Sequence, residues 1–152
     1  MTRINIWGPA CWLFFHTLIA KIKPEEFLNI RDSLMSQLQV ICSNLPCPSC
    51  SNHSRQFFQR QGSLQFKTKD EMIGFFWFFH NYVNAKKRKP SFSFSGLGKY
   101  NSENLRNAYT NFANQYTAKD TGLKLMSETF HRKGILRGFH QWMLQNNRSF
   151  YA

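Results

Sequence analysis

Apolar residues recur through this chain at intervals of three and four, the period of helices packed on one side, and no stretch alternates at two. Pro9 to Ile22 is apolar on almost every face, as an interior helix is, with Trp7-Gly8-Pro9 as a tight entry before it. Pro24-Glu25-Glu26 starts a second helix with acidic residues where the dipole favours them. Phe27, Ile30, Leu34, Leu38 and Ile41 carry that helix to about Cys42. Ser49 to Arg60 reads as a short third helix bearing Phe57 and Phe58 and ended by Gly62. Thr68-x-x-Glu71 has the spacing of a capping box, ahead of a run from Met72 to about Lys87 that opens with Ile73, Phe75, Phe76, Phe78 and Phe79. The cations Lys86 to Lys89 suit the C-terminus of that helix, and Pro90 stops it.

Pro90 to Tyr100, rich in Ser, Gly and aromatics, is expected to be an ordered loop. Asn101-Ser102 then caps a helix reaching Gln115 or Ala118, with Leu105, Tyr109, Phe112 and Tyr116 on one face. A break at Asp120 to Gly122 precedes a last segment interrupted by Gly134 and Gly138. Tyr109, Phe112, Tyr116, Phe130, Phe139 and Trp142 recur mostly at helical spacing, so residues 101–152 pack on something; a disordered basic tail would not carry them. The pattern predicts an all-α chain without internal repeats.

With 152 residues the chain has the length of one domain, or one domain with a tail, and can bury a real core. Its net charge of +12 attracts acidic partners: nucleic acid, anionic lipid, acidic proteins or a phosphorylated cofactor. The excess is spread along the chain, without a recognition stripe, which argues against nucleic acid. Sixteen Phe, clustered, mark an apolar core or a pocket for a flat ligand. No stretch approaches the roughly eighteen apolar residues of a membrane span. Trp12 to Ala20 resembles the apolar part of a signal peptide, but Pro9, His16 and the lack of a small-residue cleavage site favour an unsecreted chain.

The densest chemistry lies in Cys47-Pro48-Ser49-Cys50. Pro48 suits the first position of a helix, which sets Cys47 at the N-terminus where the dipole favours a thiolate. Cys50 falls one turn in. Three readings compete: a redox dithiol, a zinc site adding Cys42 and His53, and a chance pair of buried thiols. A thioredoxin-like domain would need strands around the motif, and none is predicted.

Gly8-x-x-x-Trp12-x-x-x-His16-Thr17, then the C-x-x-C, then His80-Asn81-x-Val83-Asn84 with Lys89-Pro90 beyond, resembles the Erv/ALR family of FAD-dependent sulfhydryl oxidases, in order and approximate spacing. The stretch Leu45 to His53 is most similar to the small oxidases of large cytoplasmic DNA viruses. The likeness covers about Trp7 to Tyr100, which divides the chain into an oxidase core at 1–100 and a helical extension at 101–152. It implies a four-to-five-helix bundle holding FAD beside the dithiol, with extra C-terminal helices, and protein dithiols oxidised at the expense of oxygen to give hydrogen peroxide. Cys47 would be the exposed sulfur that meets the client and Cys50 the one nearest the flavin. Trp12 and His16 would contact the cofactor from the first helix, with Gly8 beside them. His80, Asn81 and Asn84, with Val83 between, would line its adenosine and phosphate side. Lys87 and Lys89 would face the pyrophosphate, and Tyr100 the adenine.

Many members carry a structural disulfide where this chain has Trp77 and Phe94, so aromatic packing is expected there. Many also carry a shuttle cysteine pair. Only Cys11 and Cys42 remain here, both within predicted helices and expected as buried thiols, so a client or relay protein must supply the partner thiols. A homodimer through the first two helices, and action in the host cytoplasm or the virion, complete what the resemblance implies. The alternatives are a zinc-bearing nucleic-acid module using Cys42, Cys47, Cys50 and His53, and an inactive structural protein of a virus particle.

Overall fold

The computed structural model describes residues 4–62, 64–118 and 123–152, which are all-α. Six helices follow one another: α1 (Ile4–Ala20), α2 (Phe27–Cys42), α3 (Pro48–Gln61), α4 (Lys69–Lys86), α5 (Leu105–Tyr116) and α6 (Leu123–Gln145), with 3₁₀ turns at Pro24–Glu26, Phe94–Ser102 and Asn147–Ser149. Among the described residues no helix is long and apolar enough to cross a membrane.

The near-uniform apolarity of α1 has a direct cause, because this helix is covered on both sides. Its Trp12 and Phe15 meet Phe79 and Phe76 of α4, at ring distances of 5.2 and 6.3 Å. On another face Phe14 stacks on Phe112 of α5 at 4.7 Å and meets Phe139 of α6 edge-on at 5.7 Å. Phe14 and Phe112 are fully buried, each burial stabilising by about 1.5–3 kcal/mol. In α2 the one-sided pattern is realised as expected, with Phe27, Ile30, Leu34, Leu38 and Ile41 all buried, and the helix packs on α3 and α6. Trp142 of α6 donates its indole N–H to Ser33 Oγ of α2 at 2.9 Å. Phe57 of α3 stacks on Phe79 of α4 at 4.9 Å.

The last residues return to the start of the fold. Phe150 forms an antiparallel bridge with Ile22, the Lys23 N–H donates to the Ser149 carbonyl, and the Tyr151 N–H donates to the Lys21 carbonyl, the last two at 2.8 Å.

Several boundaries differ from the sequence expectation. Pro9 lies inside α1, which starts at Ile4. The turn ahead of it is held by Trp7, which is buried beneath the Lys87 ammonium at 5.6 Å from its ring. The capping box at Thr68 closes one residue early: Thr68 Oγ1 accepts from the Glu71 N–H at 3.2 Å, but the Glu71 carboxylate accepts from the Lys67 N–H at 2.6 Å. The second half of the expected loop is 3₁₀ and absorbs Asn101-Ser102, so Asn104 caps α5 in their place, its side chain accepting from the Asn107 N–H at 2.9 Å. Most of the α5 face is as expected, with Leu105, Phe112 and Tyr116 buried and Tyr109 half-buried.

α6 runs unbroken through Gly134 and Gly138. Each glycine costs about 1 kcal/mol there, and burial of Thr129, Arg132, Leu136, Phe139 and Trp142 along one face outweighs it. Phe130, expected to pack, is 69% exposed because it lies on the opposite face of α6. The break expected at Asp120 to Gly122 lies outside the described residues.

Candidate active site around the Cys47 and Cys50 dithiol

The connector between α2 and α3 is tied down before it reaches the thiols. The Leu45 N–H donates to Ser51 Oγ at 2.8 Å, and Ser51 Oγ donates in turn to the Leu45 carbonyl. Arg55 donates to the Ser43 carbonyl and to Asn52 Oδ1. Cys47 is the N-cap of α3 and Pro48 its first residue, the arrangement that proline's missing N–H favours. The Cys50 N–H donates to Cys47 Sγ at 3.3 Å, and Ser49 Oγ lies 3.1 Å from the same sulfur. Cys47 is half-buried and Cys50 buried, and both are free thiols.

Their acidities diverge. Partial burial pushes Cys47 up, but hydrogen bonds from Cys50 and Ser49, with the nearby charge of Lys87, bring it below the ordinary thiol value of 9.0. Burial and the hydrogen bond to Cys47 raise Cys50 to about 11, against the lowering effect of Lys87. Cys11 and Cys42 are also free, fully buried, and pushed up by that burial, which leaves them protonated.

Cys50 lines a narrow, largely apolar cavity of about 30 Å³ with Cys11, Cys42 and Phe79. Gly8, Trp12, Val83 and Lys87 line both that cavity and a wider cleft of about 480 Å³ between α1, α4 and the segment after α4. His80, Asn84, Lys89 and Tyr100 also line the wider cleft. Thus eight of the ten cofactor-binding candidates surround one opening that leads towards Cys50. The indole of Trp12 and the ring of His80 stack at 4.1 Å and 9°, giving a flat wall.

His16 stands behind that wall. Its Nε2 is 2.9 Å from His80 Nδ1, its ring stacks on Tyr100 at 4.8 Å, and it lines a separate cavity of about 280 Å³. Burial pushes His16 down to about 3, helped by His80 and Lys99. His80 falls to about 4 through burial and the charges of Lys99, Lys89 and Lys87. Both rings are therefore neutral at pH 7, and one N–H serves the contact between them.

Asn81 does not line the cleft. Its amide clamps the backbone of Phe92, donating to the carbonyl at 3.0 Å and accepting from the N–H at 2.7 Å. Phe92 and Lys99, which sequence reasoning missed, do line it, with the Lys99 ammonium 5.3 Å from the Phe92 ring and 5.1 Å from that of Tyr100. The adjacent pair Lys99-Tyr100 was the available signal. Trp77 meets Phe94 edge-on at 5.5 Å and donates its indole N–H to the Phe92 carbonyl, so aromatic packing joins α4 to the following segment as expected. At the end of α4, Arg88 takes a left-handed conformation with φ of 57°, and the Lys89 N–H turns back to the Asn84 carbonyl at 2.8 Å. That turn sets Lys87 and Lys89 on the lip of the cleft.

A family model described as the Erv1 / Alr family matches residues 9–106, a span holding the dithiol and every cleft residue named above except Gly8. The chain belongs to this family. A protein of Invertebrate iridescent virus 3, provisionally named FAD-linked sulfhydryl oxidase 096R, is 30% identical over 87 residues, covering 57% of this chain and 59% of its own length. The similarly named 347L of Invertebrate iridescent virus 6 is 33% identical over 98 residues, covering 59% of this chain and 88% of its own. The chain thus spans less than two thirds of the first of these relatives. No solved structure matches. The Erv1 / Alr span ends inside α5, so α6 lies beyond it. Among the described residues no three His, Cys, Asp or Glu side chains gather as a metal site, and the four zinc candidates stay apart as a group.

Proposed function

We propose that this chain is an FAD-linked sulfhydryl oxidase that makes disulfides in a thiol-bearing client or relay protein. The observation that carries this is the continuity of lining between the cleft and the Cys50 cavity, which puts the less acidic thiol at the inner end of a basic, aromatic-walled opening and the more acidic one at the surface. The donor set suits FAD: a flat wall from Trp12 and His80 for a ring system, and ammonium groups on Lys87, Lys89 and Lys99 for the pyrophosphate. Tyr100 and Asn84 would meet the adenosine side, His16 would hold His80 in place, and Asn81 would act through Phe92. When bound, FAD would supply the two-electron acceptor for the dithiol, with oxygen as the terminal acceptor and hydrogen peroxide as the product.

The chain's own part is thiol–disulfide exchange. A client thiolate attacks Sγ of Cys47 in the Cys47–Cys50 disulfide; the client–Cys47 bond forms, the Cys47–Cys50 bond breaks, and Cys50 leaves as a thiolate. A second client thiolate then attacks the client sulfur of the mixed disulfide and expels Cys47. The client has lost two electrons and the C-x-x-C holds them. The lowered pKa of Cys47 favours this last step, since a more acidic thiol leaves faster. Lys87, close enough to act on both sulfurs, stabilises each thiolate as it appears.

Pairing with a second copy is part of the same proposal, supported by exposed Ile6 on α1 and Leu28 and Val40 on α2. The viral source of the relatives supports action in the host cytoplasm or the virion. A visible spectrum of the purified protein, with oxygen uptake on adding dithiothreitol, tests the reading. Flavin bands and uptake that disappears in a Cys47→Ser, Cys50→Ser double variant are expected; a colourless protein, or uptake equal in that variant, overturns it.

A further inference from the structure

A groove of about 470 Å³ lies open between α5 and α6 and shares no residue with the aromatic cleft. Its floor is made by buried Leu136 with half-buried Tyr109 and Ala113, and its rim by the exposed side chains of Lys133, Arg137 and His140. The His140 ring stacks on Tyr109 at 6.4 Å. No residue lining the groove is Asp or Glu, and the sequence has neither at residues 104–119 or 129–152. Lys133 and Arg137 stand one turn apart on the same face of α6, where like charges repel. The outer face of α6 extends the pattern. Phe130, Lys133, Arg137, His140 and Leu144 follow one another at intervals of three and four, which sets them in one seam along about 21 Å of helix. All five are exposed, Phe130 at 69% and Leu144 at 68%. Apolar ends around a cationic middle are the pattern by which one helix selects another of opposite charge.

We propose that this face docks an acidic amphipathic helix of another protein. The partner's apolar residues meet Phe130, Leu144 and the groove floor, and its carboxylates meet Lys133 and Arg137. Charge and apolarity together decide the occupant. A second copy of the same seam, laid parallel or antiparallel, sets Arg137 against Arg137, because that residue lies midway between Phe130 and Leu144. A nucleic-acid backbone pairs with the cations but leaves the floor and both apolar ends without a partner. α6 lies beyond the span matched by the family model, and this surface stands or falls independently of the oxidase reading.

The test is fluorescence anisotropy on the full chain with three labelled probes: an amphipathic helical peptide with Leu on one face and Glu on the other, its analogue with Lys for Glu, and a duplex oligonucleotide. The Glu peptide should bind about tenfold more tightly than the Lys analogue, and the difference should narrow as salt rises. Lys133→Glu with Arg137→Glu should remove that preference. Arg60→Glu with Lys67→Glu changes the net charge equally at exposed positions outside α5 and α6, and should leave the preference largely intact. Phe130→Ser with Leu144→Ser keeps every charge and should weaken the Glu peptide several-fold. Equal binding of the two peptides by the parent, an equal loss in both charge variants, or full affinity in the serine variant overturns the proposal. So does tighter binding of the duplex through Lys133 and Arg137, or a parental dimer that the Lys133→Glu, Arg137→Glu variant splits. Dithiothreitol oxidation should stay at the parental rate in every variant, so failure here leaves the oxidase reading in place.

Discussion

Cys47 and Cys50 are one helical turn apart, yet one sulfur is half-exposed at an N-cap and the other faces a narrow, largely apolar cavity. That difference predicts separable losses. Cys47→Ser should abolish oxidation of protein dithiols while the flavin stays bound, and Cys50→Ser should stop anaerobic flavin reduction altogether; oxidation of a protein dithiol by either variant at the parental rate would refute the division of labour. A second prediction comes from His16 and His80, held neutral down to about 3 and about 4 in the fold against 6.5 in the open chain. Below pH 6.5 the unfolded chain takes up protons that the folded one refuses. Stability should therefore be complete above that value and decline as pH falls towards 4. Thermal melts of the flavin-free protein across this range should slope less in a His16→Gln, His80→Gln variant, and equal slopes would count against the burial of these rings. The residues that sequence motifs could carry were cysteines and aromatic or cationic side chains with chemistry of their own. The tie of Asn81 to the backbone of Phe92 was not legible, because a backbone group leaves no mark on the sequence.

Helices whose apolar residues fall in one stripe, such as α2, were legible to within a residue or two. α6 was not. A glycine is a breaker only when about 1 kcal/mol outweighs what the helix gains elsewhere, and that gain depends on tertiary partners that periodicity does not identify. Gly138→Ala provides a clean measurement, since a Cβ there meets nothing within 4 Å and the site is exposed. It should stabilise the protein by about 1 kcal/mol in urea unfolding, and a loss of stability would contradict a continuous α6. Phe14→Ala, at the meeting of α1, α5 and α6, should cost about 3–5 kcal/mol in the same experiment. The start of α5 shifted for another reason. Asn101, Ser102 and Asn104 are all good caps by composition, and the 3₁₀ segment that consumes the first two is decided by docking of Tyr100 beside His16.

At the scale of the molecule, α1 serves as a partition. One side faces α4 and the cleft, while another is sealed by α5 and α6, so the site and the C-terminal helices stabilise each other through a single element. A chain ending at Tyr100 would expose Phe14 and the rest of that side, and it should lose solubility or flavin. An equally soluble, flavin-loaded shorter form would show that α1 can stand without its C-terminal cover. The exposed apolar positions on α1 and α2 predict a dimer at micromolar concentration, and light scattering that reports only monomer would remove the second copy from the proposal. The bridge between Ile22 and Phe150 has a consequence in time as well as in space. During synthesis α1 leaves the ribosome long before the residues that cover and latch it exist, so the nascent chain carries a bare aromatic helix until α5, α6 and Phe150 emerge. Folding of this unit is then completed only once Phe150 is available to pair with Ile22, and its yield in cells should depend on chaperones that shelter apolar nascent segments.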